Sequence, residues 1–334
     1  MKRWIVIVAC PLFCIGLVAW MLWHDYRQFT ETPLALPEKG VTFTVQRGET
    51  LSGLSERLAR EGWLEKPFYL KLLGRETGLA SRLRAGEYFL QPPLTPRELL
   101  ALLARGKVRQ YPFTIIEGTT WRELRARLES ADFLEHRISD MTDDAVLSAL
   151  EIPWPSLEGA FLPDTWFVPR GETDLALLAR AWRALRKVLD EEWAARAPDL
   201  PLKTPYEALI LASIIEKETA VPEERPMIAG VFIRRLQRGM RLQTDPTVIY
   251  GLGEAFDGNL RRRDLKRDTP WNTYTRKGLP PTPIAMAGRA AIHAALHPAP
   301  GDALYFVATG DGRHVFSRTL EEHNRAVRRY QLKK

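Results

Sequence analysis

The chain has 334 residues, with 48 Lys and Arg against 41 Asp and Glu and a net charge of +7. That length supports two or three ordinary hydrophobic cores, and the only cysteines, Cys10 and Cys14, lie in one apolar run near the start, which excludes a disulfide framework elsewhere. The basic excess is spread out, densest at Arg261-Arg262-Arg263 and Arg328-Arg329, and reads as solvated surface with a mild attraction to anionic lipid or an acidic cell-wall polymer, not as a nucleic-acid footprint.

Residues 4–23 are twenty positions without a charge, interrupted by Pro11, which membrane helices tolerate. At a rise of about 1.5 Å per residue they match a bilayer core of about 30 Å. Trp4, Trp20, Trp23 and Tyr26 stand where an interfacial aromatic belt lies. Lys2 and Arg3 precede the run, while Asp25 and Arg27 nearly cancel after it, so the short tail (residues 1–3) is expected in the cytoplasm. The expectation is an uncleaved single-pass inner-membrane anchor over residues 4–24 with a periplasmic remainder. A cleaved signal peptide is the competing reading; the long run and the lack of a small-x-small site after it speak against cleavage. Residues 25–40 are polar, Pro-containing and aperiodic, and read as a linker.

An internal repeat follows. FTVQRGETLSGLSERLAREGWL from Phe43 and FTIIEGTTWRELRARLESADFL from Phe113 share eight residues in register over 22 positions. Each copy predicts a short strand, a Gly turn, and a Thr (Thr50, Thr120) capping an amphipathic helix. The first copy continues with a helix around residues 66–73 and a strand around 86–90, and Thr95-Pro96-Arg97-Glu98 opens another helix with Pro at its first position. The βααβ stretch over residues 41–106 resembles a LysM-like module, a small fold that binds N-acetylglucosamine-containing glycans; spacing or orienting the rest of the chain is the alternative role. Within 146–170, Trp154 and the segment EGAFLPDTWFVP, with Phe161, Trp166 and Phe167, set aromatic rings among Pro, Gly and Asp; rings beside polar groups suit stacking on sugars, but a packed Pro-rich connection with Asp164 and Thr165 in a turn or cap is the simpler reading. A long amphipathic helix over 174–197 precedes an apolar one over 205–218.

The apolar helix ends in IIEKET, with carboxylates at Glu216 and Glu218. Two residues apart, they point to opposite sides of a helix and are not the facing pair of an ordinary glycosidase. A carboxyl held against an apolar wall binds its proton more tightly and becomes a general acid near neutral pH. About twenty residues on, RLQTDPTVIYG packs Gln243, Thr244 and Asp245 together, polar groups that are expensive to bury without a purpose. A rigid polar-aromatic loop carries Asn272, Tyr274 and residues 278–283; a short helix over 288–297, a hairpin around Gly310-Asp311-Gly312 and a closing helix over 319–330 complete the chain. His136, His293, His297, His314 and His323 are scattered singly; His293 and His297 are four apart on one helix, where a solvated or capping role is the simpler reading, and neither a metal nor another cofactor is expected.

LASIIEKETAVPEER, FIRRLQRGMRLQTDPTVIYGLG, WNTYTRKGLPPTPI and AALHPAPGDALYFVA, in that order, resemble the endolytic murein transglycosylases of the MltG (YceG-like) family over nearly the whole chain. The resemblance implies cleavage of the MurNAc–GlcNAc β-1,4 bond within peptidoglycan strands, with a 1,6-anhydromuramyl end and termination of nascent strands near peptidoglycan synthases. It implies Glu218 as the catalytic acid/base, with Gln243, Thr244, Asp245, Asn272 and Tyr274 as sugar-binding companions. The expected architecture is α+β: a transmembrane helix, the LysM-like module, then a mixed α/β catalytic domain over residues 107–334. A membrane-anchored glycan-binding scaffold without catalysis is the alternative, and it leaves Glu218 and RLQTDPTVIYG without a role.

Overall fold

The computed structural model describes residues 2–332, with side chains from residue 16 onward. The first helix, α1 (Lys2–Glu31), is continuous. The expected membrane anchor, residues 4–24, lies in good part outside the residues whose side chains are described. Among the described residues no helix is long and apolar enough to cross a membrane. The secondary structure is mixed α and β, as expected, with helices predominating over small two-stranded sheets.

The chain divides into two compact units, residues 1–111 with 168–171, and residues 112–167 with 172–334. In the first, β1 (Val41–Val45), α2 (Leu51–Arg60), α3 (Pro67–Glu76) and β2 (Gly86–Leu90) follow one another, and α4 (Pro96–Arg105) closes the unit. β1 and β2 are antiparallel, Val41 opposite Leu90 and Val45 opposite Gly86. Alternation along the strands turns Phe43, Val45, Tyr88 and Leu90 inward, where they meet Leu51, Leu54 and Leu58 of α2 and Leu99, Leu100 and Leu103 of α4. The end of α1 joins this core through Tyr26 and Phe29, and Asp25 accepts from Lys66 Nζ at 2.5 Å and Tyr69 at 3.0 Å.

The second unit starts within β3 (Gln110–Ile115), which pairs with β5 (Asp164–Pro169); between them lie α5 (Trp121–Glu129), β4 (Leu134–Glu135) and α6 (Asp143–Ala149). Asp164 and Thr165 thus lie in a strand and not in a turn, and Thr165 bonds Thr114 across the pair at 3.0 Å. β4 runs parallel to β6 (Glu172–Thr173). The repeat seen in the sequence is a repeat in structure: Thr50 caps α2 and Thr120 caps α5, and the preceding glycines, Gly48 at φ +80° and Gly118 at φ +76°, both take the left-handed turn that a side chain disfavours.

Helices make the core of the second unit: α7 (Asp174–Ala194), α8 (Pro205–Glu218), α9 (Arg225–Gln237), α10 (Asp245–Leu252), α11 (Arg262–Lys266) and α12 (Arg289–Leu296). α7 ends three residues earlier than its pattern suggests. α8 is apolar all round, and a helix of that kind must be covered on every side. Residues Ala208 to Ile215 are all buried, with α7, α9, α10 and α12 packed about them. Its one interior polar side chain, Ser213, donates to Ile210 O at 2.7 Å and accepts from Ile284 N at 3.0 Å, which seats the buried stretch 284–287 against the helix. That stretch exchanges backbone bonds with Gly118 and Thr119, and Gly159 lets Pro283 approach where a Cβ would stand 2.6 Å away. The hairpin of β7 (Tyr305–Ala308) and β8 (His314–Ser317) and the last helix, α13 (Leu320–Tyr330), pack together.

Truncating α8 tests this reading. Leu211 is fully buried, so Leu211→Ala should destabilise the protein by about 2–5 kcal/mol. Met227, 39% exposed, should change stability by no more than about 0.5 kcal/mol on truncation. Urea denaturation of both variants beside wild type decides; equal shifts would mean α8 is not the central helix.

Candidate active site

α8 delivers three consecutive side chains in three directions. Glu216 accepts from Gly288 N at 3.0 Å and from Arg225 Nη2 at 3.3 Å. Lys217 donates to Gly118 O at 3.1 Å. Glu218, the last residue of the helix, accepts a short hydrogen bond from the Thr244 hydroxyl on Oε1. The two carboxylates diverge as the helical period requires, and Glu216 is engaged in structural bonds.

Glu218 retains a partly exposed face but is otherwise surrounded by protein. Burial raises its pKa to about 7; the Thr244 hydrogen bond opposes the rise, the negative charge of Asp245 adds to it, and His314 and Arg235 work against it. Its place at a helix C-terminus acts in the same direction as burial, since the helix dipole disfavours negative charge there.

Thr244 is held in turn. Its N–H donates to Thr273 Oγ1 at 3.1 Å, and its carbonyl accepts from Thr247 Oγ1 at 2.7 Å. The neighbouring Gln243 adopts φ +50°, unusual for a residue with a Cβ, and its N–H donates to Thr273 O at 3.2 Å. Local strain of this kind persists only where surrounding bonds impose it. The result alternates along the segment: Thr244 is buried, while Gln243 and Asp245 are exposed. Tyr274 donates its hydroxyl to Asp245 Oδ1 at 2.6 Å; burial and that bond raise the phenol's pKa.

A cleft of about 460 Å³ runs over these groups, lined by Glu218, Gln243, Thr244, Asp245 and Tyr274 together with Arg235, Tyr305, Phe306, His314, His323 and Asn324. Asn272 is not among the lining residues. It is fully buried, its Nδ2 donating to Arg267 O at 2.7 Å and Leu265 O at 3.1 Å, and its Oδ1 accepting from Tyr274 N at 2.8 Å. Asn272 therefore folds the loop that presents Tyr274.

Several residues in and around the cleft, and one carboxyl apart from it, have roles that no motif shows. Arg235, buried on α9, donates to Leu304 O at 2.6 Å and Leu242 O at 2.7 Å and fastens the start of the Gln243–Asp245 segment to the hairpin. His314 and Glu224 form a 2.7 Å pair. They are ninety residues apart, and no periodicity or motif joins them. Glu158 opens the aromatic EGAFLPDTWFVP segment, yet the carboxyl and not the rings is its distinctive group. Both Glu158 oxygens accept from Trp121 N, at 3.0 and 3.1 Å, and Tyr250 donates at 3.1 Å. Burial outweighs those bonds and raises its pKa to about 7. The rings of the segment serve the core: Phe161 is fully buried beside Trp121, and Trp154 lies between Trp182 and Tyr206, whereas Phe167 is exposed. Glu192 comes to His293 and His297, with polar atoms of all three within 4.8 Å, and Arg289 Nε already stands 2.9 Å from the Glu192 carboxylate.

A carboxyl whose pKa is raised on folding stabilises the folded state at low pH and loses that contribution as pH rises past its unfolded value toward its folded one. Between about 4.5 and about 7, Glu158 and Glu218 should therefore make stability fall with rising pH. Glu218→Gln should be more stable than wild type at pH 8 and show a shallower fall. Denaturation midpoints across that range check this; an unchanged slope in Glu218→Gln would place its carboxyl in water.

A model described as the YceG-like family matches residues 43–329. An endolytic murein transglycosylase of Bacillus subtilis is 31% identical over 311 residues, covering 87% of this chain and 84% of that protein. One from Streptococcus pneumoniae is 27% identical over 324 residues, covering 87% of this chain but 58% of the longer relative. The 2.6 Å crystal structure of a YceG-like protein from Listeria monocytogenes has 27% identity and a TM-score of 0.53, covering 86% of this chain and 99% of that one. With the match extending over most of both sequence and fold, this chain belongs to the YceG-like family.

Proposed function

We propose that this protein is an endolytic lytic transglycosylase that cuts the MurNAc–GlcNAc β-1,4 bond inside peptidoglycan strands and leaves a 1,6-anhydromuramyl end. The observation that carries the reading is Glu218, a carboxyl with its pKa raised to about 7 in a polar cleft. The relatives named endolytic murein transglycosylases support the substrate class.

At neutral pH a substantial share of Glu218 is protonated. It donates that proton to the glycosidic oxygen as the C1–O bond breaks. The muramyl C6 oxygen bonds C1, and the C6 hydroxyl proton can return to the Glu218 carboxylate, so no water is consumed. One carboxyl closes the proton balance, unlike a hydrolase, which must also activate water. Asp245, held by Tyr274, supplies negative charge that favours the protonated form of Glu218 and the cationic sugar of the transition state. Gln243, Thr244 and Tyr274 offer hydrogen bonds to sugar hydroxyl and acetamido groups.

In this reading residues 4–24 anchor the chain in the inner membrane, with the two units on the periplasmic side, close to the synthases whose nascent strands it terminates. The LysM-like first unit guides the glycan along its groove of about 540 Å³, which Gln46, Thr50, Ser52, Lys71 and Arg75 help line.

Mass spectrometry of uncrosslinked glycan strands incubated with wild type or Glu218→Gln tests the proposal. Wild type should generate new 1,6-anhydro ends, and Glu218→Gln should lower their rate by about 10²–10⁴. Reducing ends instead would make the protein a hydrolase, and binding without cleavage would make it a scaffold.

A further inference from the structure

On α3 two large apolar side chains point away from the core: Phe68 is 69% exposed and Leu72 is 41% exposed. Four residues apart, they share one face of the helix. Leu70, Leu73 and Gly74 hold the opposite face and are buried.

The place of α3 gives its exposed face a direction. Lys66, just before α3, and Tyr69 in its first turn both bond Asp25, and Tyr26 donates its hydroxyl to Glu76 at the other end. Ten residues of helix span about 15 Å, yet the two ends of α3 meet adjacent residues of α1. α3 therefore runs across α1 and not along it. α4 meets α1 later, where Arg97 Nε lies 3.8 Å from Glu31. The core that these helices enclose packs on Tyr26 and Phe29 and, past the end of α1, takes in Leu34 and Leu36. The core thus lies on the far side of α3, and the Phe68–Leu72 face looks back along α1 toward Trp20 and Trp23, both exposed. Arg27 lays its guanidinium over the Trp23 ring, 4.9 Å from the centroid, a cation and an aromatic of the kind found at headgroup level. Arg75, exposed one turn after Leu72, brings a second guanidinium beside the same face.

We propose that the Phe68–Leu72 face of α3 is a second membrane contact of this protein. α3 lies flat in the headgroup layer of a phospholipid bilayer beside the anchor, with Phe68 and Leu72 at the acyl boundary and Arg27 and Arg75 at lipid phosphates. A helix about 10–12 Å across, crossing α1 at Asp25 and Tyr26, carries its outer side chains about 5 Å below its axis, the depth at which interfacial helices rest. One spanning contact and one flat contact stop the first unit from swinging on α1, so its groove keeps a single attitude to the membrane. The inference rests on the anchor reading of residues 4–24 and deepens it.

The test uses the full chain with Cys10→Ser and Cys14→Ser, reconstituted in vesicles of phosphatidylethanolamine and phosphatidylglycerol. A nitroxide label is placed at Phe68→Cys, Leu72→Cys, Leu17→Cys or Lys107→Cys, one at a time. The readout is collision of the label with lipid-soluble oxygen against a water-soluble nickel chelate. Leu17 reports the anchor, and Lys107, exposed past the end of α4 that is remote from Glu31, reports water. The oxygen-to-nickel ratio at Phe68 and Leu72 should exceed that at Lys107 several-fold and stay below that at Leu17. Phe68→Asp should lower the Leu72 ratio to the Lys107 value and leave the melting temperature unchanged, since Phe68 is outside the core. A Phe68 ratio equal to that at Lys107, with Leu17 in lipid, overturns the proposal. So does a Phe68 label shielded from both reagents and broadened by a second label, which means that another copy covers the face. If Leu17 is also in water, the anchor reading itself fails, a result distinct from one confined to α3.

Discussion

The hydrogen bond between the Thr244 hydroxyl and Glu218 is the contact on which the site turns. Removing a carboxylate from water is costly, and the group answers by keeping its proton. The bond from Thr244 limits that response. Burial alone would make Glu218 too reluctant an acid; full solvation would leave it ionised and without a proton to give. A value of about 7 lies between these limits, where a carboxyl can both release and recover a proton. Everything that fixes Thr244 therefore also sets the acidity of Glu218.

Two supports converge on that residue. From the helical side, α8 is covered by α7, α9, α10 and α12, so its last turn has a defined place. From the loop side, Thr273 takes N–H bonds from both Gln243 and Thr244, and Asn272 shapes the loop through carbonyls of the preceding segment. Gln243 carries the strain of this arrangement at φ +50°. Arg235 closes the frame by holding Leu242 O and Leu304 O, which links the polar segment to the hairpin bearing His314. The cleft is thus an assembly of regular elements whose ends meet, held by buried bonds to backbone carbonyls.

Sequence made some of this visible because the signals are local. An apolar run of helical length ending in IIEKET announces a buried helix with a carboxyl at its end, and Thr before an amphipathic stretch announces a cap; α8, α2 and α5 stand where those rules put them. Gln243, Thr244 and Asp245 drew attention because polar side chains in tight succession need partners. Asn272 shows the limit of reading a role from motif position: its place beside Tyr274 marks it as a binding companion, but its carboxamide is engaged by backbone groups. Glu224 and His314 could not be read at all, since each looks ordinary in its own segment and only tertiary folding joins them. Glu158 was masked by the aromatic residues around it.

The repeat gives the second unit a bracket for these parts. In the first unit the strand and the Thr-capped helix contribute Phe43, Val45, Leu51, Leu54 and Leu58 to a core. In the second, the same module makes further connections: Gly118 O receives Lys217 from the last turn of α8, Thr119 and Gly118 exchange bonds with Met286, and Trp121 N at the start of α5 is satisfied by Glu158. Glu158 also accepts from Tyr250 on α10, the helix that begins at Asp245. One copy of a small module thereby ties the end of α8 and the body of α10 to a common frame. The short contact between Glu218 and Thr244 depends on both helices keeping their places, and each is fastened to the second copy of the strand-turn-helix.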